Sequence, residues 1–189
     1  MITVGIDEVG RGSWAGPVVA GAVVLAMPIA GLKDSKKLTK SQREALALEI
    51  NMHAGAVGIG WVEAPEVDRI GLTAAVGLAM QRALEQISVS FDEVVIDGNL
   101  NYFPDDSRAK AVIKADDSVP AVSAASIVAK VARDSYMANV AHQKYPEYAF
   151  DKHVGYGTSL HQQMLKLYGV TELHRKSFRP VQAIMADSL

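Results

Sequence analysis

The 189 residues are 49% hydrophobic and 21% charged, which suits one globular domain over 1–189 and excludes wholesale disorder, collagen-like repeats and coiled coil. About 70% of the unfolded surface is buried at this length, so no disulfide or structural metal is needed to fold; the absence of cysteine excludes disulfides, thiolate catalysis, iron–sulfur clusters and Cys-ligated zinc. With 19 Lys+Arg against 21 Asp+Glu and a net charge of −2, no global basic field announces a nucleic-acid partner, which must be argued from local clusters.

Ile2–Ile6 reads as a strand ending at Asp7-Glu8. The first eight residues are acidic and carry no basic leader region, so a cytoplasmic location is expected. Gly12 to Leu32 holds no charge and is long enough to span a bilayer. It also holds Pro17, Pro28 and four glycines, and its apolar core is a short valine-rich run. A buried strand over Val18–Leu25 is the better reading, and no membrane partner is expected.

A basic loop follows, with Lys33, Lys36, Lys37, Lys40 and Arg43. Thr39 with Gln42 is a capping box that opens a helix to about His53, punctuated by Gly55. Ala56–Val62 reads as a strand, and Pro65 suits the first position of a short helix. Leu72–Ile87 has the clearest helical period. Glu93–Ile96 is a strand running into the turn Asp97-Gly98-Asn99, and Ala111–Lys114 a strand running into Asp116-Asp117. A long helix is expected from Pro120 to about Gln143, stopped before Pro146. Thr158 caps a helix through Tyr168, and a last helix covers Pro180–Ala186. The order is an α/β plan with antiparallel pairing at its start, because no helix separates the first two strands.

Asp7, Glu8, Asp97 and Asp116, with Asp117 beside it, fall where strands end or pass into loops. Hard divalent cations take oxygen ligands, and carboxylates from separate strands can converge on one. Each such Asp also reads as an ordinary turn or cap residue, and spacing alone leaves both readings open. Gly10-Arg11-Gly12-Ser13-Trp14-Ala15-Gly16 superficially matches a dinucleotide loop. That motif needs a helix next, and here Pro17 leads into a valine strand. His153, His161 and His174 are too dispersed to read as a metal site.

Asp7 to Gly12 followed by Ala15-Gly16-Pro17-Val18-Val19 closely resembles the start of bacterial ribonuclease HII, the type 2 ribonuclease H. The resemblance continues through Asp34–Leu38, Ile96–Asn99, Ser123–Asp134, His153, Gly155–Thr158 and His174-Arg175 with Ser177-Phe178 and Pro180, in order and over nearly the whole chain. It implies a ribonuclease H-like α/β fold, a mixed five-stranded sheet flanked by helices. The implied activity is an endonuclease hydrolysing the RNA strand of RNA–DNA hybrids and cutting 5′ of single ribonucleotides in duplex DNA, leaving 3′-hydroxyl and 5′-phosphate ends. The family's four catalytic and metal-binding carboxylates map onto Asp7, Glu8, Asp97 and Asp116, with two Mn2+ or Mg2+ ions and no organic cofactor. The backbone of Gly10, Arg11 and Gly12 maps onto the reader of the 2′-hydroxyl, and Tyr156 onto the ring that packs on the next deoxyribose. Lys36, Ser123, Lys130 and Arg133 would meet the substrate backbone; Ser123, Ser126, Lys130 and Arg133 share one helix face by spacing. A monomer is expected, with RNA–DNA hybrid and ribonucleotide-containing duplex as partners.

Three positions depart from the family's pattern. Ala115 stands for the usual glycine with Asp117 as an added carboxylate, Val154 for a common lysine, and Trp14 for a smaller apolar residue. Two other classes compete with the nuclease: a binding module that has lost catalysis, and a nucleotide-binding oxidoreductase built on the glycine-rich loop. Intact Asp7, Glu8 and Asp97 speak against the first, and the missing helix after Gly16 against the second.

Overall fold

Thr3–Val9 (β1) and Val18–Leu25 (β2) pair antiparallel, Val4 opposite Val24 and Val9 opposite Val19. Antiparallel neighbours need no crossover helix, and only Gly10–Pro17 joins them. Ala54–Val62 (β3) flanks β2, while Glu93–Asp97 (β4) lies parallel to β1 and Ala109–Val112 (β5) parallel to β4. The result is a mixed five-stranded sheet in the order β3-β2-β1-β4-β5. The helices are Lys40–His53 (α1), Ala64–Ile70 (α2), Leu72–Leu84 (α3), Ala115–Ser118 (α4), Pro120–Ser135 (α5), His142–Lys144 (α6), Phe150–His153 (α7), Ser159–Tyr168 (α8) and Arg179–Asp187 (α9). These elements come from a computed structural model, which describes residues 1–187.

The described residues group into two compact units. The first holds Met1–Val9, Val19–Trp61 and Val76–Val131, and with them nearly all of the sheet. β2 is buried at every position except its last, so its uncharged run lies inside the core. Among the described residues no helix is long and apolar enough to cross a membrane. Val4, Ile6, Val19, Val23, Val94 and Ile96 are fully buried, each worth roughly 1.5–3 kcal/mol of transfer free energy. A Cβ on Gly5 would stand 2.1 Å from the Ala121 carbonyl carbon, so only glycine lets the start of α5 lie against β1. α1 begins at the expected capping box: Thr39 accepts from the Gln42 amide, and the Gln42 side chain accepts from the Thr39 amide.

The second unit holds Gly10–Val18, Val62–Ala75 and the residues from Ala132 onward. Its core packs Met137, Tyr148, Phe150, Leu165, Leu173 and Ile184. Tyr148 stacks on Phe150 with ring centroids 5.5 Å apart. The long helix expected from Pro120 to Gln143 is interrupted: Tyr136–Ala141 is a π-helical segment between α5 and α6. The wider turn there carries both Met137 and Ala141 into the core.

Two boundaries differ from the sequence reading in ways that place the site. β1 runs on through Val9, so Asp7 and Glu8 lie within the strand. β5 ends at Val112, and Asp116 and Asp117 fall in the first turn of α4, not at a strand end. Lys114, with φ 57° and ψ 40°, is the left-handed residue that turns the chain into that helix.

Candidate active site

Three neighbouring strands bring carboxylates to one place. Ile6 of β1 pairs with Ile96 of β4, so Asp7 and Asp97 both stand one residue beyond a matched pair in parallel strands. Asp97 pairs with Val112 at the end of β5, from which the chain turns into α4 and delivers Asp116. One carboxylate oxygen from each of Asp7, Asp97 and Asp116 lies within 4.8 Å of the others, a set able to hold a metal ion. Glu8 is not one of the three.

Each member is held in place. Asp7 accepts from the Glu8 amide at 2.7 Å and from the Ser126 hydroxyl, and Ser126 is hydrogen-bonded to Ser35 at 2.9 Å. Asp97 accepts from the Ala115 amide at 2.8 Å. Ser123 donates to the Asp116 carbonyl at 2.7 Å. Asp7 is only 7% exposed, and burial, with the nearby charges of Glu8 and Asp97, pushes its carboxyl up to about 8. Asp116 is buried too and likewise pushed up, first by desolvation and then by Asp97 and Asp34. Asp117, one residue on, is exposed and ion-paired with Lys37. The added carboxylate is thus turned outward, and Ala115 costs the backbone nothing because the positive φ falls on Lys114.

In the second unit, the Gly10–Val18 segment is gripped by its own backbone carbonyls. The Arg133 guanidinium donates to the carbonyls of Pro17 (2.9 Å), Ala15 (3.0 Å) and Val154 (2.9 Å). The Arg175 guanidinium donates to Gly16 (3.0 and 2.9 Å) and Arg11 (2.9 Å). Both arginines have no solvent exposure. Burial, then the neighbouring Arg133 charge, lowers Arg175 to about 9, which leaves it charged at neutral pH. The segment also shares backbone hydrogen bonds with Gly155 and Leu173, and Trp14 accepts from the Arg175 amide at 2.8 Å. Gly10 has φ 87°, and a Cβ there would meet the Arg133 side chain at 2.3 Å. Gly12 is exposed, and a Cβ there would meet nothing within 4 Å.

The family model of ribonuclease HII matches residues 4–181. The chain belongs to the ribonuclease HII family. It is 48% identical to the ribonuclease HII of Janthinobacterium sp. (strain Marseille) over 187 residues, covering 97% of this chain and 88% of that protein. It is also 48% identical to that of Marinomonas sp. (strain MWYL1), over 96% of this chain and 92% of the relative. The crystal structure of ribonuclease H2 from Pyrococcus horikoshii OT3 superposes with a TM-score of 0.83 at 26% identity, covering 100% of this chain and 99% of that one. The expected ribonuclease H-like architecture is therefore the one found. As a ribonuclease HII the chain is an endoribonuclease, a hydrolase that cleaves the RNA strand of RNA–DNA hybrids.

For a ribonuclease HII, the expected substrate-facing residues are distributed unevenly. Lys36 is exposed and Lys130 half-buried. Ser123 and Ser126 are buried, so their shared face of α5 looks toward the carboxylates and not toward solvent. Arg133 is a correction: expected to meet the substrate backbone, it is sealed inside with its donors committed to three carbonyls, and a phosphate has no access to it. Its guanidinium lies 5.4 Å from the centre of the half-buried Tyr156 ring, so it supports that ring from within. Arg11 is exposed. Sequence reasoning missed two supporting groups. Ser35 braces Ser126, and Arg175 anchors the Arg11 carbonyl. Arg175 lies in the His174-Arg175 block of the family resemblance, but no spacing signal marks an arginine as buried.

Proposed function

We propose that this ribonuclease HII also cuts 5′ of single ribonucleotides embedded in duplex DNA, with Asp7, Glu8, Asp97 and Asp116 as catalytic, metal-binding carboxylates. The observation that carries the reading is the convergence of Asp7, Asp97 and Asp116, with Asp7 pushed up to about 8. Such a cluster is costly as bare anions and is relieved by a cation. The donors are all carboxylate oxygens, which suit hard divalent ions. Bound there, two Mn2+ or Mg2+ ions would supply an activated water and stabilise the departing 3′ oxygen, giving 3′-hydroxyl and 5′-phosphate ends.

The chain's own groups do the rest. The Glu8 amide and Ser126 hydroxyl fix the Asp7 carboxylate, and the Ala115 amide fixes Asp97. Lys36 and Lys130 meet backbone phosphates. Gly10, Arg11 and Gly12 read the 2′-hydroxyl, the local mark that separates RNA from DNA. Open space at Gly12 supports this, because among the described residues no atom within 4 Å would meet a Cβ there. Tyr156, backed by Arg133, packs on the next deoxyribose. Residues 1–189 act as one ribonuclease H-like catalytic domain, a reading supported by a family match that draws on both compact units.

The test is cleavage of a DNA duplex carrying one ribonucleotide, in Mn2+ and in Mg2+. Wild type should cut on the 5′ side of the ribonucleotide. Asp7→Asn and Asp116→Asn should lose at least roughly a hundredfold in rate, and Asp117→Asn should stay near wild type. Absence of any cut by folded protein that binds the duplex would overturn the proposal.

A further inference from the structure

The three histidines that are scattered in the sequence meet in the second unit. His161 and His174 face each other with their Nε2 atoms 3.1 Å apart, and the His153 ring stacks on His161 with centroids 4.4 Å apart. All three are buried. They form no metal site among the described residues, because each ring nitrogen is already spoken for by a protein group.

Hydrogen-bond direction follows from one fixed donor. The Thr171 amide donates to His174 Nδ1 at 2.9 Å, so that nitrogen carries no proton. A neutral imidazole has one donor and one acceptor. His174 Nε2–H therefore donates to His161 Nε2, and His161 Nδ1–H donates to the Tyr156 carbonyl at 3.0 Å. The same logic holds for His153: the Gly155 amide donates to its Nδ1 at 3.2 Å, and its Nε2–H donates to the Tyr148 carbonyl at 2.9 Å. Each ring has a single tautomer, and a further proton on His161 or His174 would set N–H against N–H.

We infer that His161 and His174 are positioning residues for Tyr156, a relay of two neutral imidazoles that ties its carbonyl to the Thr171 backbone and so fixes the ring presented to substrate. This rests on the reading of Tyr156 as a substrate contact. The groups around the relay keep it neutral. Lys176 lies toward His174, and Asp151 acts only on the side of His153. Trp14, Tyr148 and Phe150 supply the aromatic walls. Burial is the first cause holding His161 down at about 4 and His174 at about 3, so the relay persists across the neutral range. Tyr156 is thereby held by Arg133 beneath its ring and by the relay at its carbonyl.

Two measurements test the inference on the full chain. Long-range proton–nitrogen correlation spectra of histidine-labelled protein should show His161 as the Nδ1–H form and His174 as the Nε2–H form, neither titrating between pH 5.5 and 8. A His161 that titrates near 6.5, or that shows the opposite tautomer, overturns the relay. In cleavage assays on the single-ribonucleotide duplex, His161→Phe should raise KM about tenfold with kcat changed far less, and should add nothing further in a Tyr156→Ala background. Additive effects of His161→Phe and Tyr156→Ala would also overturn it. If wild type does not cut that duplex, the functional reading falls, and the tautomer spectra still decide the relay.

Discussion

Replacing Asp7 with asparagine should stabilise the metal-free protein while removing its activity, because burial beside other carboxylates suppresses an ionisation that the unfolded chain allows. Asn keeps the side-chain shape and an acceptor for the Glu8 amide and Ser126 but cannot ionise. Asp7 is lifted from 3.8 to about 8 in the fold. A carboxyl raised in this way is neutral in the native state and ionised in the unfolded chain between those values. Native stability from this group is therefore full below pH 3.8 and lost as pH rises toward 8. At about 1.4 kcal/mol per pH unit the ceiling on the loss is roughly 4 kcal/mol at pH 7 and roughly 1.6 at pH 5. Relaxation and water entry reduce such ceilings by about half or more. The variant should then be about 2 kcal/mol more stable than wild type at pH 7.5, or about 4–8 °C in Tm, and nearly level with it at pH 5. Calorimetry in EDTA at several pH values reads this directly, and saturating Mn2+ should narrow or reverse the gap by stabilising only wild type. A variant less stable at every pH, or a gap that does not change with pH, would refute the argument.

Other outcomes follow from the same structure. Arg133→Ala and Arg175→Ala should each cost about 3 kcal/mol by stranding the carbonyls they bind, and Tm changes within 2 °C would contradict this. Val154 sits at φ 44°, a strained place for a β-branched residue, so Val154→Asn should gain roughly 0.5–1 kcal/mol in a denaturant titration. Gly10→Ala should destabilise the fold, whereas Gly12→Ala should fold normally and lose cleavage of the single-ribonucleotide duplex, as thermal scans and gel assays would separate. His161 and His174 are depressed below 6.5, so their stabilisation is complete above 6.5 and lost as pH falls toward 4. In the Asp7→Asn background, where the opposing carboxyl is gone, stability should drop by up to roughly 4 kcal/mol between pH 6.5 and 5.

Local physics made much of the fold readable. The valine run of β2, the Thr39 capping box and the Thr158 cap each carry their own signal, and the structure has all three. The carboxylates were legible as a group, since Asp7 and Asp97 each follow an apolar strand run, although β1 continues past Asp7 to Val9. Local pattern did not separate Asp116 from Asp117, and the choice of Asp116 came from the family resemblance alone. Both residues are adjacent and equally acidic, and only the left-handed turn at Lys114 aims one inward and leaves the other to Lys37.

The chain's composition, strand periods and caps by themselves determined an α/β fold with acidic strand ends, because those signals act over a few residues. Tertiary structure alone decided the fate of the long-range polar groups. Arg133 had the spacing of a solvent-facing cation, yet the fold buries it among carbonyls contributed from Ala15, Pro17 and Val154. His153, His161 and His174 looked unrelated until α7, α8 and the segment at Thr171 brought them into contact. A buried polar group needs partners wherever the chain can supply them, and those partners lie at sequence distances that no local pattern encodes.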